Sequence, residues 1–265
     1  MVALLGIFRK EMRIAFTTPV AYVVFFAFTL FSSVVFYDQV LQYEQQLQRS
    51  RHMDDQELLA LLNFNDVILA HLFATAQVVF VFAVPILTMR MIAEEKRQRT
   101  MELLLTSPIR PLQLVVGKYL AYLALIAALC VILAVYPMIL TAFGQNSLVD
   151  DAVLDWPTTM LGLLGVFLTG AMFGAIGLFF SSITESQVVA ALLTIFTLLL
   201  LWRLVGLAAE APGGVGGLLL FLSPLSHITS FVKGVLHLAD VLYFILVAGF
   251  FLFLTHRAVE GQRWQ

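Results

Sequence analysis

Residues 93–111 read AEEKRQRTMELLLTSPIRP and form the most charged stretch of an otherwise apolar chain. Six charged residues fall between Glu94 and Glu102, and three leucines follow them directly. Long apolar runs lie on both sides, at about residues 68–89 and 112–142. Because so many charges cannot lie in hydrocarbon, the stretch is predicted to connect two membrane-spanning helices outside the bilayer.

The composition of the whole chain indicates a membrane protein. It has 265 residues, of which 61% are hydrophobic and 12% charged, whereas a soluble domain has about 25% charged residues. Its apolar runs reach the roughly 20 residues that cross a bilayer as a helix, and they lack the strict alternation of an outer-membrane barrel. The predicted fold class is an all-α integral membrane protein. The single cysteine, Cys130, excludes a disulfide framework and a thiolate metal site.

The apolar runs predict six transmembrane helices in one domain, 1–265. Their approximate ranges are 20–40, 68–89, 112–142, 159–181, 187–207 and 239–255. Pro137 should kink the third of them. Ahead of the first span, apolar side chains at helical spacing predict an N-terminal amphipathic surface helix, with a plain tail as the alternative. These side chains are Leu5, Phe8, Met12 and Ala15.

The distribution of basic residues predicts the orientation. Eleven of the 15 Lys and Arg residues fall in the N-terminal segment, between Arg90 and Lys118, or in the C-terminal tail. Six spans place all three regions on one side, which the positive-inside rule makes cytoplasmic. Both termini are therefore expected in the cytoplasm, and the protein in the cell (inner, cytoplasmic) membrane. The segments 41–67, 143–158 and 208–238 are expected to be extracytoplasmic.

Two of the connecting segments carry signals of their own. Asp54 and Glu57 have capping-box spacing and predict a short helix within 41–67. The segment 208–238 is apolar but interrupted by Gly and Pro. It predicts a re-entrant pair of short helices before the last span, whose backbone must then be buried in protein. The alternative is an ordinary loop with one amphipathic helix.

The charged segment itself reads as a short helix with a leucine end. Glu95 and Arg99 are four residues apart with the acid first, which is the favourable order on a helix. Arg99 and Glu102 are three apart, and Ser107-Pro108 is typical of the start of the next helix. Three adjacent leucines favour a docking surface over the alternative, a solvated loop whose charges only fix the topology.

The stretch AEEKRQRTMELLLTSPIRPLQLVVGKYLA resembles the cytoplasmic segment between spans two and three of ABC-2 type transporter permeases. That segment typically has an acidic pair, a basic stretch, Gly-Thr, Glu-Leu-Leu-x-Thr-x-Pro and a later Gly-Lys. The matching residues are Glu94, Glu95, Thr100, Glu102, Leu103, Leu104, Thr106, Pro108, Gly117 and Lys118. Arg99 stands where glycine is usual, which predicts a less interrupted helix and argues against a tight turn there.

A second resemblance covers the end of the chain. The stretch SPLSHITSFVKGVLHLADVLYFILVAGFFLFLT is similar to the gliding-motility-type branch of these permeases. The residues that carry this likeness are Ser223, Pro224, His227, Gly234, Asp240, Tyr243 and Phe244.

The resemblance implies a permease subunit of an ATP-driven ABC transporter, an exporter more often than an importer. Within the coupling segment, 91–111, residues 91–106 would form a coupling helix seated on a separate cytoplasmic ATPase. The implied coupling residues are Glu94, Glu95, Arg97, Arg99, Thr100, Glu102, Leu103 and Leu104. The sequence has no G-x-x-x-x-G-K-[ST]. We therefore expect no enzyme activity, catalytic residue or cofactor on this chain, with ATP and Mg on the ATPase.

Other expected partners are a second permease copy or a related permease, membrane lipid and an optional extracytoplasmic auxiliary subunit, but no nucleic acid. One alternative is a membrane component of a motility or envelope machine that translocates nothing. A secondary transporter is disfavoured because the spans hold few ionisable groups. We expect an amphipathic or lipid-linked substrate, with candidate polar contacts at Thr75, Gln77, Thr169 and Thr194, although these side chains could instead bond their own helix backbone.

Three further patterns have structural or functional readings. The histidines never show H-x-x-x-H spacing, so no metal site is predicted; they are His52, His71, His227, His237 and His256. Glycines crowd the fourth span and predict close helix packing within one subunit rather than a dimer face or a hinge. These are Gly162, Gly165, Gly170, Gly174 and Gly177. Arg203 is either functional or extends to the outer interface.

Overall fold

The computed structural model describes residues 2–53, 68–101, 110–143, 154–210 and 214–262. In those ranges the chain forms α-helices and no β-strand. The helices are α1 (Val2–Thr17), α2 (Pro19–Met53), α3 (Ala70–Thr88), α4 (Ala93–Arg97), α5 (Pro111–Phe143), α6 (Trp156–Ile183), α7 (Gln187–Glu210), α8 (Gly214–Leu222), α9 (Pro224–Val232) and α10 (Leu238–Gly261). The predicted helix around Asp54 and Glu57 lies outside the described residues.

Among the described residues, six helical stretches are long and apolar enough to cross a membrane, which confirms the all-α integral membrane class. They are Pro19–Arg49, Ala70–Arg97, Pro111–Ala142, Trp156–Ile183, Gln187–Ala208 and Leu238–Gly261. Helix α2 does not end with the predicted first span at residue 40, because it has 35 residues and continues to Met53. A helix of that length spans about 50 Å, more than the roughly 30 Å of hydrocarbon. Its polar part, rich in glutamine, extends the same helix rather than opening a loop.

Helix α6 lies at the centre of the bundle, against α3, α5, α7, α9 and α10. Its glycines make this possible, which confirms the predicted close packing within one subunit. A Cβ on Gly174 would overlap the ring of Tyr122, and one on Gly170 would lie 2.8 Å from Cγ2 of Ile126. Helix α5 also bonds to α6, because the Tyr122 hydroxyl donates to the Gly170 carbonyl at 2.7 Å. The glycines therefore let α5 and α6 approach closely enough for the Tyr122 side chain of one helix to reach the backbone of the other.

The segment before the last span forms two short helices, α8 and α9, bent by 66° at Ser223. Pro224 begins α9, and proline at the first helical position suits a sharp restart of the chain. Gly234 follows with φ +75°, and a side chain there would overlap Thr158 at the start of α6. The pair of short helices is thus confirmed over a single amphipathic helix, while its entry into the bilayer stays a prediction.

The surface helix α1 packs along α5. Its buried side chain is Ile7, which lies against Gly117, where a Cβ would approach Ile7 Cγ2 at 2.9 Å. The side of α1 that packs on α5 is therefore not centred on the predicted apolar face, since Leu5 of that face keeps 51% of its surface exposed. The described helix therefore uses one edge for the bundle and leaves apolar side chains such as Leu5 facing outward. Thr18 breaks the helix before Pro19, as expected for an X-Pro junction.

Candidate functional site

One end of the bundle collects most of the ionised contacts of the described residues. Helix α1, the end of α3, α4, the start of α5, the α6–α7 turn and the end of α10 meet there; we call it the charged end. The C-terminal helix reaches it through Gln262, whose side-chain amide donates to the Ser182 carbonyl at 3.3 Å. Both ends of the described chain therefore lie with the charged segment, as six spans require.

Helix α4 contains only five residues and ends in a left-handed turn at Arg99, where φ is +54°. The predicted continuous helix through Arg99 is therefore wrong. An L-residue pays about 1 kcal/mol or more for this conformation, which is why glycine is usual in such turns. The predicted Glu95–Arg99 pair is wrong as well, because the turn takes Arg99 off the helix face and Glu95 bonds to other elements.

Glu95 is one of four alternating charges that join α1, α4 and α5. Lys118 Nζ lies 2.7 Å from Glu11 Oε1 and 3.0 Å from Glu95 Oε2, and it donates to the Met91 carbonyl at 2.5 Å. Lys10 Nζ contacts the other Glu95 oxygen at 2.8 Å. The Lys118 side chain is only 1% exposed, so its charge depends on these partners.

The electrostatics of this cluster are balanced, with two ammonium groups and two carboxylates. Burial opposes the charged form of Lys10, but the hydrogen bond and charge of Glu95 outweigh it and raise the pKa of Lys10 above its usual value. Glu95 is thus held by two cations from two different helices. We call Lys10, Glu11, Glu95 and Lys118 the charge cluster.

The start of α4 is capped by a side chain from another helix. The hydroxyl of Ser181, at the end of α6, accepts from the amides of Ile92 and Ala93 at 3.1 and 3.0 Å and donates to the Met89 carbonyl at 3.1 Å. It thereby satisfies amides that the first turn of a helix leaves without partners. Lys96 bonds to the carbonyl of Ser182. Helix α4 is therefore fastened to α6 at both of its ends.

The predicted coupling residues divide into two groups. Arg97 and Arg99 are exposed. Glu94 is half-buried and accepts from Gln98 at 2.7 Å and from Gln187 of α7. The other inward members are Glu95, which is 8% exposed, and Thr100, whose hydroxyl donates to the Glu95 carbonyl at 3.2 Å. Glu102, Leu103 and Leu104 lie outside the described residues.

Several residues that hold this site had no predicted role. Lys118 was only part of a motif, although a lysine within an apolar run is itself a signal of a buried ionic contact. Lys10 and Glu11 lie within the predicted surface helix, where only the apolar side chains had an assigned place. Ser181 carried no signal, because a single hydroxyl at a span end is common.

A cavity of about 650 Å³ lies beside the charge cluster, between α1, α2, the end of α3, α4 and α5. Its wall includes charged side chains at the charged end, among them Arg90 and Glu94, and apolar ones farther along the spans, such as Ala121 and Leu125.

A second polar cluster stabilises the break between α8 and α9. His227 Nδ1 lies 2.7 Å from Asp240 Oδ1 of α10, and its Nε2 lies 2.8 Å from the Phe221 carbonyl. The Tyr243 ring stacks on the imidazole at 4.1 Å, and its hydroxyl donates to the Leu222 carbonyl at 2.6 Å. Three of the residues that carry the second resemblance, His227, Asp240 and Tyr243, therefore meet at the break between α8 and α9. Within the described ranges, no group of three or more potential ligands could hold a metal ion.

Two of the four candidate substrate contacts are satisfied by their own helices. Thr169 donates to the Gly165 carbonyl at 2.9 Å and Thr194 to the Ala190 carbonyl at 2.7 Å. Thr75 is half-buried, and Gln77 is 1% exposed in the core.

Arg203 was the other polar candidate in the spans. Its side chain is exposed and runs along its own helix, since a Cβ on Gly206 would lie 3.1 Å from its guanidinium. That course toward the end of α7 fits a side chain that extends to the interface.

A bundle of six span-length helices in the described part of the chain, with a short helix docked at its charged end, defines a multi-pass membrane protein. The sequence model for the ABC-2 family transporter protein matches residues 5–259. The chain belongs to this family, whose members are membrane permease subunits of ABC transporters. A comparison with curated proteins finds no match. The gliding-motility-type branch stays a prediction.

Proposed function

We propose that this chain is the permease subunit of an ATP-driven exporter and that α4 receives the force of a separate ATPase. The observation that carries the proposal is that ion pairs and hydrogen bonds fasten α4, a helix too short to be stable alone, to α1, α5, α6 and α7. ATP and Mg²⁺ would be bound by the partner chain. The charged end would be cytoplasmic in a cell membrane, with two permease and two ATPase subunits in the functional unit.

The two groups of charged-segment residues suggest a division of labour. Arg97 and Arg99 face outward and are available to an acidic surface of the ATPase. Glu94, Glu95 and Lys96 face inward and connect α4 to the span ends. A displacement of α4 would therefore move α5 through Lys118 and α6 through Ser181. ATP binding would shift the population between two arrangements of the spans.

The substrate proposed for this subunit is amphipathic or lipid-linked. Two of the four candidate polar groups, Thr169 and Thr194, are satisfied by their own backbone, whereas the buried amide of Gln77 has no hydrogen-bond partner among the described residues and remains available to the polar part of such a substrate. In reconstituted vesicles, hydrophobic or lipid-linked compounds should stimulate ATP hydrolysis. Stimulation by a small hydrophilic solute alone would contradict this, and no stimulation by any compound would favour a mechanical role without translocation.

The division of labour is tested by comparing outward and inward variants in the full complex. Arg97→Glu with Arg99→Glu should lower ATPase co-purification roughly tenfold, because two exposed attractions become repulsions. Glu95→Gln should retain the ATPase but weaken the stimulation of its turnover by the permease. Arg13→Glu, an exposed reversal on α1, is the matched control.

Two outcomes would refute this assignment. If the outward double reversal retains the ATPase as well as wild type does, α4 is not the docking surface. If Glu95→Gln loses the ATPase as completely as the outward variant does, the separation between docking and transmission is wrong. Equal amounts of each variant in the membrane are required before either comparison is made.

A further inference from the structure

The cavity beside the charge cluster changes character along its length. Helix α5 contributes Lys118 at the charged end and then Ala121, Tyr122 and Leu125 farther into the span. Seven residues of α-helix from Lys118 to Leu125 cover about 10 Å. The other apolar wall residues come from α1, α2 and α3: Ile14, Ala15, Val20, Ala21, Ile86 and Leu87. The cavity therefore joins a polar end to an apolar shaft within the span region.

The charges at the polar end do not all neutralise one another. The two lysines and two glutamates of the charge cluster form ion pairs among themselves. Arg90 and Glu94 are the other charged side chains on the cavity wall, and they lie outside the charge cluster. Arg90 is exposed and has no ion pair among the described residues, and Glu94 accepts only from neutral amides. The site thus offers one cation and one anion, a helical turn apart.

The opening of the cavity lies beside surface that suits lipid. Ile14 of α1 is 44% exposed and Ile86 of α3 is 39% exposed, and both line the cavity. Phe82, one turn before Ile86 on α3, is 51% exposed. On the membrane-spanning helix α3, Ile86 and Phe82 face acyl chains, and Ile14 adds apolar surface from the surface helix α1, so a molecule could enter sideways from the leaflet at the charged end.

We propose that this cavity binds one zwitterionic glycerophospholipid with a primary amine in its headgroup. Its phosphate would contact Arg90 and its ammonium would contact Glu94, while an acyl chain lies along Ala121 and Leu125. One charge of each sign matches that headgroup, whereas an anionic lipid leaves Glu94 without a cation. A soluble zwitterion would leave the apolar shaft empty. A volume of about 650 Å³ is that of a small-molecule site, so the cavity would take the headgroup and one acyl chain while the second chain stays in the leaflet.

The site is tested by lipid retention on the purified full-length chain, which does not depend on the proposed transport function. Native mass spectrometry is run after exchange into phosphatidylethanolamine, phosphatidylcholine or phosphatidylglycerol. We expect one phosphatidylethanolamine per chain, retained about tenfold better than phosphatidylglycerol, since a charge-assisted hydrogen bond differs between them. Phosphatidylcholine should bind less well than phosphatidylethanolamine because its quaternary amine has no N–H to donate.

Two variants assign the contacts. Arg90→Gln should lower the retention of all three lipids, because it removes the phosphate contact. Glu94→Gln should abolish the preference for the amine without lowering phosphatidylglycerol retention. Arg9→Gln, on the exposed side of α1 and outside the cavity wall, should change neither, and Ala15→Phe should lower retention by filling the shaft without altering charge.

The proposal is overturned if wild type retains no lipid, or if it retains phosphatidylglycerol as well as phosphatidylethanolamine. It is also overturned if Arg90→Gln and Arg9→Gln behave alike. Each variant must elute as the same species as wild type, so that lost retention reports the site and not misfolding.

Discussion

Replacement of Lys118 by methionine should loosen the joint between α1, α4 and α5. Methionine has nearly the same length, so the change removes the charge and the donors while filling most of the space. Glu11 then loses its cation, whereas Glu95 keeps Lys10 at 2.8 Å. The Met91 carbonyl also loses its donor.

The size of the effect follows from burial. Breaking a buried ion pair by removing one partner costs about 3–5 kcal/mol. Because Lys10 remains on Glu95 and the Glu11 side chain keeps 11% of its surface exposed, we expect a loss near the lower limit, about 3 kcal/mol. For a domain of this size that corresponds to a fall in melting temperature of roughly 6–10 °C. Hydrogen exchange should increase in α1 and α4 more than in α6.

The assay is thermal unfolding of the purified chain in one detergent, with the variants measured side by side. The double variant Lys118→Met with Glu11→Gln should recover about half of the loss, because the orphaned carboxylate is the main penalty. Lys118→Arg is the matched control for charge. A melting temperature of Lys118→Met within about 2 °C of wild type, or no recovery in the double variant, would refute the reasoning.

The remaining predictions concern packing, backbone strain and topology. Gly174→Ala should lower stability by about 2 kcal/mol, because its Cβ overlaps a tyrosine ring, whereas Gly249→Ala, with open space around it, should be neutral in the same melting assay. Arg99→Gly should raise the melting temperature, because it relieves about 1 kcal/mol of left-handed strain; an unchanged or lower value would contradict this. On a cysteine-free background, a cysteine at Ser50 should be labelled from outside intact cells and one at Gln98 should not, and the reverse pattern would refute the orientation.

Much of the fold could be predicted because a bilayer imposes length and polarity on each span separately. Apolar runs of about 20 residues are recognisable without knowledge of their neighbours. Each of the six predicted spans therefore overlaps one of the candidate membrane helices in the described part of the chain. The glycines of α6 were informative for a similar reason, because a glycine in a span permits a close approach, here to Tyr122 and Thr88. The length of α2 could not be predicted, because polarity marks the end of a span and not the end of a helix.

The charged end was less predictable because long-range partners decide it. Spacing paired Glu95 with Arg99, but an i,i+4 pair contributes only about 0.5 kcal/mol. The buried ammonium of Lys118 and the chain reversal at Arg99 override such a preference. Neither effect can be read from a window of a few residues, since Lys118 and Glu11 are more than a hundred positions apart in the chain. The cavity has the same origin, because five separate elements build it.

The proposed docking helix and the proposed lipid site are not independent, because both use the inward side of α4. Glu94 and Glu95 line the cavity and also fasten α4 to α7, α1 and α5. A lipid ammonium on Glu94 would compete with the side-chain amide of Gln187. A displacement of α4 by the ATPase would move the same carboxylate. Linkage then requires reciprocity: if bound lipid changes the affinity of the permease for the ATPase by some factor, the ATPase changes lipid affinity by the same factor. Measuring lipid retention with and without the ATPase, and ATPase retention with and without phosphatidylethanolamine, should therefore give equal ratios. Unequal ratios at equilibrium would mean that the two measurements report different sites.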